Sequence, residues 1–238
     1  SDHHEDAHYE VEEELPVELF RQSLFNLGKT FNNARHAYLS LNLAQQQITH
    51  INVSHNYLKL ALGDSKDIYL QVIDLSCNGL TTLAPLSNLK HLLKLNASSN
   101  KLTQMLDFDP PAALDWVDLP QLDHKIDNVA KNPYLRQLFL DKNCITTIEN
   151  LKQNTHLRVL SLNQNKIEKI ENIEGVHLEE LYLAENCLKK ISGLTNMPFL
   201  RTLDLSRNEI KFLRGLEHVA NLRFLNLSLN RIHKILQL

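Results

Sequence analysis

One frame, L-x-x-L-x-L-x-x-N-x-L, recurs along this chain and constrains its fold more than any other feature. Leu200, Leu203, Leu205, Asn208 and Ile210 fit it. So do Leu222/Leu225/Leu227/Asn230/Ile232, Leu178/Leu181/Leu183/Asn186/Leu188, Leu157/Leu160/Leu162/Asn165/Ile167 and Leu135/Leu138/Leu140/Asn143/Ile145. Upstream the frame continues through Leu92/Leu95/Ala97/Asn100/Leu102, Leu70/Ile73/Leu75/Asn78/Leu80 and Ile48/Ile51/Val53/Asn56/Leu58. Asn143, Asn165, Asn186, Asn208 and Asn230 follow one another at intervals of 22, 21, 22 and 22 residues. Self-similarity at such a period belongs to stacked units, each unable to bury its apolar face alone.

Within L-x-x-L-x-L the period is two, so the second and third Leu of each copy share one side of a short strand. Neighbouring copies then pair their strands in parallel and bury the Leu columns against the return limb. The Asn stands where the chain leaves the strand, and its amide can donate to and accept from backbone groups of adjacent turns. This assigns a structural ladder to Asn56, Asn78, Asn100, Asn143, Asn165, Asn186, Asn208 and Asn230. A second apolar series at spacing three follows, as in Ile145, Ile148, Leu151 or Leu188, Ile191, Leu194. It suits a 3₁₀ turn or short helix, and a repeat of this length has no room for a long one. The expected fold is an α/β solenoid, the leucine-rich-repeat horseshoe, with a parallel concave sheet and short 3₁₀ or helical convex segments.

Composition narrows the function. The 238 residues carry a formal net charge of −3, which argues against a general nucleic-acid binder. Three Cys do not make a disulfide framework and favour a reducing, cytoplasmic setting. No apolar run approaches the ~20 residues needed to span a bilayer. The chain starts at Ser1 without a signal peptide, as expected of a piece of a longer protein.

Residues 1–15 hold seven acids, three His and no Lys or Arg, which reads as an acidic flexible arm. Residues 16–37 read as an N-terminal cap, with Val17, Leu19, Phe20, Leu24, Phe25 and Leu27 spaced for a helix. Residues 38–238 form the array of nine to ten repeats. Two places break its register. Leu41–Gln46 reads as a copy, yet Asn56 follows after only half a repeat; either the copy is degenerate or, as the spacing favours, residues are missing there. In the copy of Leu114, Val117 and Leu119, the Asn slot holds Leu122. Ile232, Ile235 and Leu238 open a convex limb with no polar cap, so a further segment or a partner is expected over that edge.

Catalytic chemistry finds no foothold. Ser23-Leu-Phe-Asn-Leu-Gly28-Lys29-Thr30 lacks the first Gly of a phosphate loop, and its surroundings read as helical. His3, His4 and His8 do not form a preorganised metal site. Cys144 and Cys187 stand two repeats apart, beyond disulfide reach. No catalytic residue, metal site or cofactor is assigned.

What remains is the concave face, whose side chains the core does not use. One column there runs Asn52, Asp74, Asn96, Asp118, Phe139, Ser161, Tyr182, Asp204, Asn226; its neighbour includes Trp116, Val159 and Phe224. Trp116, Phe139, Val159 and Tyr182 are expected to cluster over four adjacent repeats, and exposed aromatics of this kind anchor protein interfaces. Arg136, Arg158, Arg201 and Arg223, interrupted by Glu179, are expected to supply a basic edge for a partner's carboxylates.

The 22-residue pattern Asn-x-Ile-x-x-Ile-x-x-Leu resembles the SDS22-like class of leucine-rich repeats across residues 40–238. His36-Ala-Tyr-Leu39-Ser-Leu41, Leu92-Leu-Lys-Leu-Asn-Ala97-Ser and Phe108-Asp-Pro-Pro111 resemble the repeat region of leucine-rich-repeat and guanylate-kinase-domain proteins. A weaker resemblance is to the leucine-rich-repeat proteins of radial spoke heads. The likeness implies a non-catalytic scaffold of the ciliary or flagellar axoneme with axonemal or cytoskeletal partners. It also leaves two alternatives: the targeting arm of a guanylate-type kinase whose catalytic domain lies beyond Leu238, or a ribonucleoprotein subunit.

Overall fold

The computed structural model describes residues 24–25, 40–41, 49–55, 69–119 and 125–233. Nine strands of three residues each follow one another: β3 (His50–Asn52), β4 (Val72–Asp74), β5 (Lys94–Asn96), β6 (Trp116–Asp118), β7 (Gln137–Phe139), β8 (Val159–Ser161), β9 (Glu180–Tyr182), β10 (Thr202–Asp204) and β11 (Phe224–Asn226). They make one sheet in chain order, and every pair that has been described is parallel and in register. Sequential parallel strands with no crossover in between mean that each repeat adds one rung. The fold is a leucine-rich-repeat solenoid.

The core is a set of stacked Leu and Ile columns. Leu135, Leu138 and Leu140 are fully buried, as are Leu157, Leu160 and Leu162 in the next repeat. The convex series at spacing three closes the same core from the other side, through Leu80, Leu83, Leu86 and again through Ile145, Ile148, Leu151. Two convex segments are 3₁₀ helices, Ala84–Asn88 and Val129–Lys131. At β11, Leu225 and Leu227 are only half-buried, because among the described residues this strand has a neighbour on one side alone.

The strand-exit asparagines hold successive repeats together. Asn165 donates to the carbonyls of Leu140 (2.8 Å) in the preceding repeat and Leu162 (3.0 Å) in its own, and accepts from the Ile145 amide at 2.9 Å. Asn100, Asn186, Asn208 and Asn230 make the same three kinds of bond. Asn78 and Asn143 donate to the carbonyls of the preceding repeat and their own. Just before each Asn the chain takes a left-handed residue, such as Lys142 (φ 59°), Gln164 (φ 56°) and Arg207 (φ 54°). That conformation costs an L-residue on the order of 1 kcal/mol, and the buried ladder bonds beside it offset the cost.

A second ladder lies on the convex turn. Asn150 and Asn172, both left-handed, donate to the carbonyls of Ile126 (2.7 Å) and Ile148 (2.8 Å). One repeat further on the position is Gly193, at φ +76°, where a Cβ would collide with the Ile170 carbonyl oxygen. Gly215 repeats this against Ile191. Only glycine lets the backbone come that close in that conformation.

Two expectations change. Within the expected capping helix, Leu24–Phe25 is instead a strand, β1, paired antiparallel with β2 (Ser40–Leu41). Asn26 and Gly28 are poor helix formers and Phe25 favours strands. The copy expected to begin at Leu41 therefore contributes its first residues to this separate pair, not to the parallel sheet. The rest of the cap, the acidic arm with His3, His4 and His8, the segment around Gly28–Thr30, Asn56, Leu122 and Ile235–Leu238 lie outside the described residues. Despite the Leu122 departure, β6 keeps its register with both neighbours.

Candidate functional site

Seen along the concave face, most repeats use the last strand residue for a structural task. Asn52, Asp74, Asn96, Asp204 and Asn226 each accept, through Oδ1, the amide two residues on, at 2.9–3.1 Å. These Asx turns satisfy the N–H groups where the chain bends out of the sheet. At β7, β8 and β9 the equivalent residues are Phe139, Ser161 and Tyr182, so that acceptor is gone or too short.

For β8 and β9 the structure supplies it from the next column. Asp141 Oδ1 accepts the Asn163 amide (2.7 Å) and the Ser161 hydroxyl (2.6 Å), and Asn163 Oδ1 accepts the Ala184 amide (2.8 Å). The caps are passed from repeat to repeat by residues two positions later. Phe139 and Tyr182 thus stand on the concave face with no capping duty.

Around them the expected residues fall as follows. Trp116 and Phe139, diagonal neighbours across β6 and β7, touch with ring centroids 5.4 Å apart and planes tilted by 43°. Both are half-buried, as is Val159 on β8. Tyr182 lies two strands beyond Phe139 and does not join that ring pair; its hydroxyl donates to Glu180 Oε2 at 2.6 Å. That bond above all, with burial and the charges of Glu180 and Asp204 behind it, pushes its pKa up to about 12. Phe224 is 53% exposed, far along the sheet on β11.

Beside the aromatic pair, on β6 and in register with Phe139, lies Asp118, half-buried. Its equivalents accept an amide two residues later, but here that residue is Pro120, which has no N–H to give. Burial first, then the charges of Asp141 and Asp74, push its carboxyl up to about 6. The concave face beside Trp116 and Phe139 therefore carries a carboxyl whose pKa is raised to about 6.

The expected basic edge is partly paired within itself. Glu179 lies between Arg158 and Arg201, 3.6 Å from one and 3.7 Å from the other, so the middle of the row is internally paired. Arg136 and Arg223, at its two ends, form no ion pair among the described residues. The reason is the single acid in the column, which serves both of its neighbours.

Sequence reasoning placed Asp118 in the concave column without singling it out, and missed Asp141 and Asn163. The signal was present: an Asx column with a gap at 139, 161 and 182, and a Pro two residues after Asp118, the last Asx before that gap. Among the described residues no group of three potential ligands can hold a metal, and Cys77, Cys144 and Cys187 form no disulfide. No helix among them is long and apolar enough to cross a membrane.

A family model for leucine-rich repeats in two copies matches residues 133–175 and 176–218. Leucine-rich repeats fill that stretch. Over 88 residues the chain is 35% identical to the leucine-rich repeat-containing protein 23 of Homo sapiens, covering 37% of this chain and 23% of that protein. Over 100 residues it is 31% identical to the human leucine-rich repeat and guanylate kinase domain-containing protein, covering 42% of this chain and 11% of that one. The chain thus spans a minor part of these relatives' length. Among solved structures, a leucine-rich-repeat protein of Leptospira interrogans superposes with a TM-score of 0.68 at 23% identity, over 79% of this chain and 50% of its own. That likeness is one of fold. Repeats of this type imply a protein–protein interaction scaffold, and the fold is typically non-catalytic.

Proposed function

We propose that this array is a non-catalytic scaffold of the ciliary or flagellar axoneme and holds a protein partner on its concave face at Trp116, Phe139, Val159 and Tyr182. The relayed capping carries the reading: Asp141 and Asn163 take over the task that Ser161 and Tyr182 do not perform, and Phe139 performs no such task. Where a repeat gives up a structural residue and rebuilds its function one column away, the vacated position is available for recognition. A sheet that is already formed loses little conformational entropy on binding, so a few aromatic anchors suffice. The axonemal setting rests on the resemblance of the short strings around His36, Leu92 and Phe108.

The test is in ciliated cells. Tagged chain should remain with detergent-extracted axonemes, and Trp116→Ala with Tyr182→Ala should release it while leaving its melting curve in place. A tagged chain found wholly in the detergent-soluble fraction contradicts the axonemal reading. Retention of the double variant contradicts the concave site.

The match to the guanylate kinase domain-containing protein supports a second reading, in which the array is the targeting arm of a kinase domain encoded further along. Sequence beyond Leu238 carrying a Gly-rich phosphate loop decides between the two.

A further inference from the structure

On either side of the buried first Leu of each repeat lie two surface columns, exposed except at the half-buried Arg158 and Glu179. The residue before it is Tyr134, His156, His177 or Phe199 in β7 to β10; the residue after it is Arg136, Arg158, Glu179 or Arg201, with Arg223 at β11. Tyr134 and Phe199 are 54% and 49% exposed, unusual for large apolar rings. Their rings pair along the flank: Tyr134 meets His156 at 5.3 Å with the planes tilted by 46°, and His177 meets Phe199 edge-to-face at 5.2 Å. The imidazoles are fixed in place, since Nδ1 of His156 bonds the Pro133 carbonyl (3.2 Å) and Nδ1 of His177 the Thr155 carbonyl (3.0 Å).

The two columns are one surface. Arg158 donates to the carbonyls of Thr155 (3.2 Å) and His177 (3.3 Å), so its guanidinium lies against the backbone that carries the rings. Glu179 shows what this row binds: one carboxylate bridges Arg158 and Arg201. Arg136 and Arg223 at the ends have no such partner among the described residues. With four Arg against one Glu the row is positive by three, on a chain whose net charge is −3.

From this juxtaposition we propose that the ring-and-arginine flank of β7 to β11 docks an extended acidic peptide of a partner protein. Its carboxylates pair with Arg136 and Arg223, and its apolar residues lie on Tyr134 and Phe199. This deepens the scaffold reading above, and it uses a surface separate from the Trp116–Phe139 patch. Four strand steps of ~4.8 Å separate Arg136 from Arg223, about 19 Å, which an extended peptide at ~3.3 Å per residue spans in about six residues. The motif is two acids about six residues apart with apolar residues between. Exposed aromatics beside arginines also suit single-stranded nucleic acid, whose bases stack on rings. The acidic chain and the carboxylate already seated in the row favour the peptide.

The full chain is titrated by fluorescence anisotropy with a labelled peptide carrying two Glu at that spacing with Pro and Leu between. Parallel titrations use the same peptide with Lys for Glu, and an oligouridine. The Glu peptide is expected to bind, to weaken with added salt, and to lose about tenfold or more with R136E plus R223E. The same loss is expected with Tyr134→Ser plus Phe199→Ser, and none with Trp116→Ala. Melting curves of each variant establish that it is folded, and the salt dependence reads the charge contribution without any substitution. No binding of the Glu peptide, equal binding of the Lys peptide, or preference for the oligouridine overturns the proposal. A loss with Trp116→Ala that matches the loss with R136E plus R223E would return the peptide to the concave patch and also overturn it. Since that patch is tested by axonemal retention, failure here leaves the scaffold reading standing.

Discussion

Asn165→Ala removes one rung of the strand-exit ladder and measures what the ladder is worth. The side chain donates to Leu140 and Leu162 and accepts from Ile145, all three of them buried. Each bond contributes about 1 kcal/mol net, and an amide left buried without an acceptor costs about 1–3 kcal/mol more. The carbonyls keep other partners, so the Ile145 amide dominates the penalty. The expected loss is about 3–5 kcal/mol. Because an array is stabilised by nearest-neighbour interfaces, a loss in a central repeat also weakens the coupling between its two sides. Urea unfolding followed by far-ultraviolet circular dichroism should therefore show a lower midpoint and a shallower, less cooperative transition. Asn52→Ala is the contrast: it removes a single exposed Asx bond and should cost about 1 kcal/mol or less. If Asn165→Ala costs no more than Asn52→Ala, the ladder does not hold the repeats together.

Three further outcomes follow from the same geometry. Asp118→Asn should stabilise the fold at neutral pH and do nothing near pH 3. The folded pKa is raised, so the native state favours the neutral acid, and stability is lost as pH climbs from about 4 to about 6. The full shift corresponds to about 3 kcal/mol, and partial exposure reduces this to about 1 kcal/mol at pH 7; a benefit independent of pH in thermal melts would contradict the assignment. Gly193→Ala should cost about 2–4 kcal/mol because its Cβ meets the Ile170 carbonyl, whereas Gly175→Ala, with φ +82° but open space around it, should cost about 1 kcal/mol. Equal losses in chemical denaturation would show that only backbone conformation matters. Glu179→Gln should leave the melting temperature within about a degree, since its ion pairs are exposed; a large drop would mean the row is structural.

Much of the fold was readable because its strongest signals are local and periodic. Leu, Leu and Asn at fixed offsets dictate strand, buried column and ladder, and the register of Trp116 with Gln137 and of Phe139 with Ser161 follows from counting. The convex ladder was hidden because its residue type changes. Asn150 and Asn172 give way to Gly193 and Gly215, and what is shared is a left-handed backbone, not a side chain. The antiparallel pair of Leu24–Phe25 with Ser40–Leu41 was hidden for the opposite reason: helical spacing in a short apolar stretch outweighed weak helix formers. In the site, the aromatic positions were visible, but the relay through Asp141 and Asn163 crosses repeats and is a matter of distances. The pairing of Glu179 with two arginines was likewise a geometric fact, and it confines the open basic groups to Arg136 and Arg223.

The most direct check on the account is retention of Phe139→Asn on detergent-extracted axonemes. The substitution restores the Asx residue that Asn52, Asp74 and Asn96 provide at this position, so a gained cap offsets the loss of the half-buried ring and its contact with Trp116. The account predicts an unchanged or higher melting temperature together with loss of the axoneme-bound fraction. Full retention of the variant would contradict it.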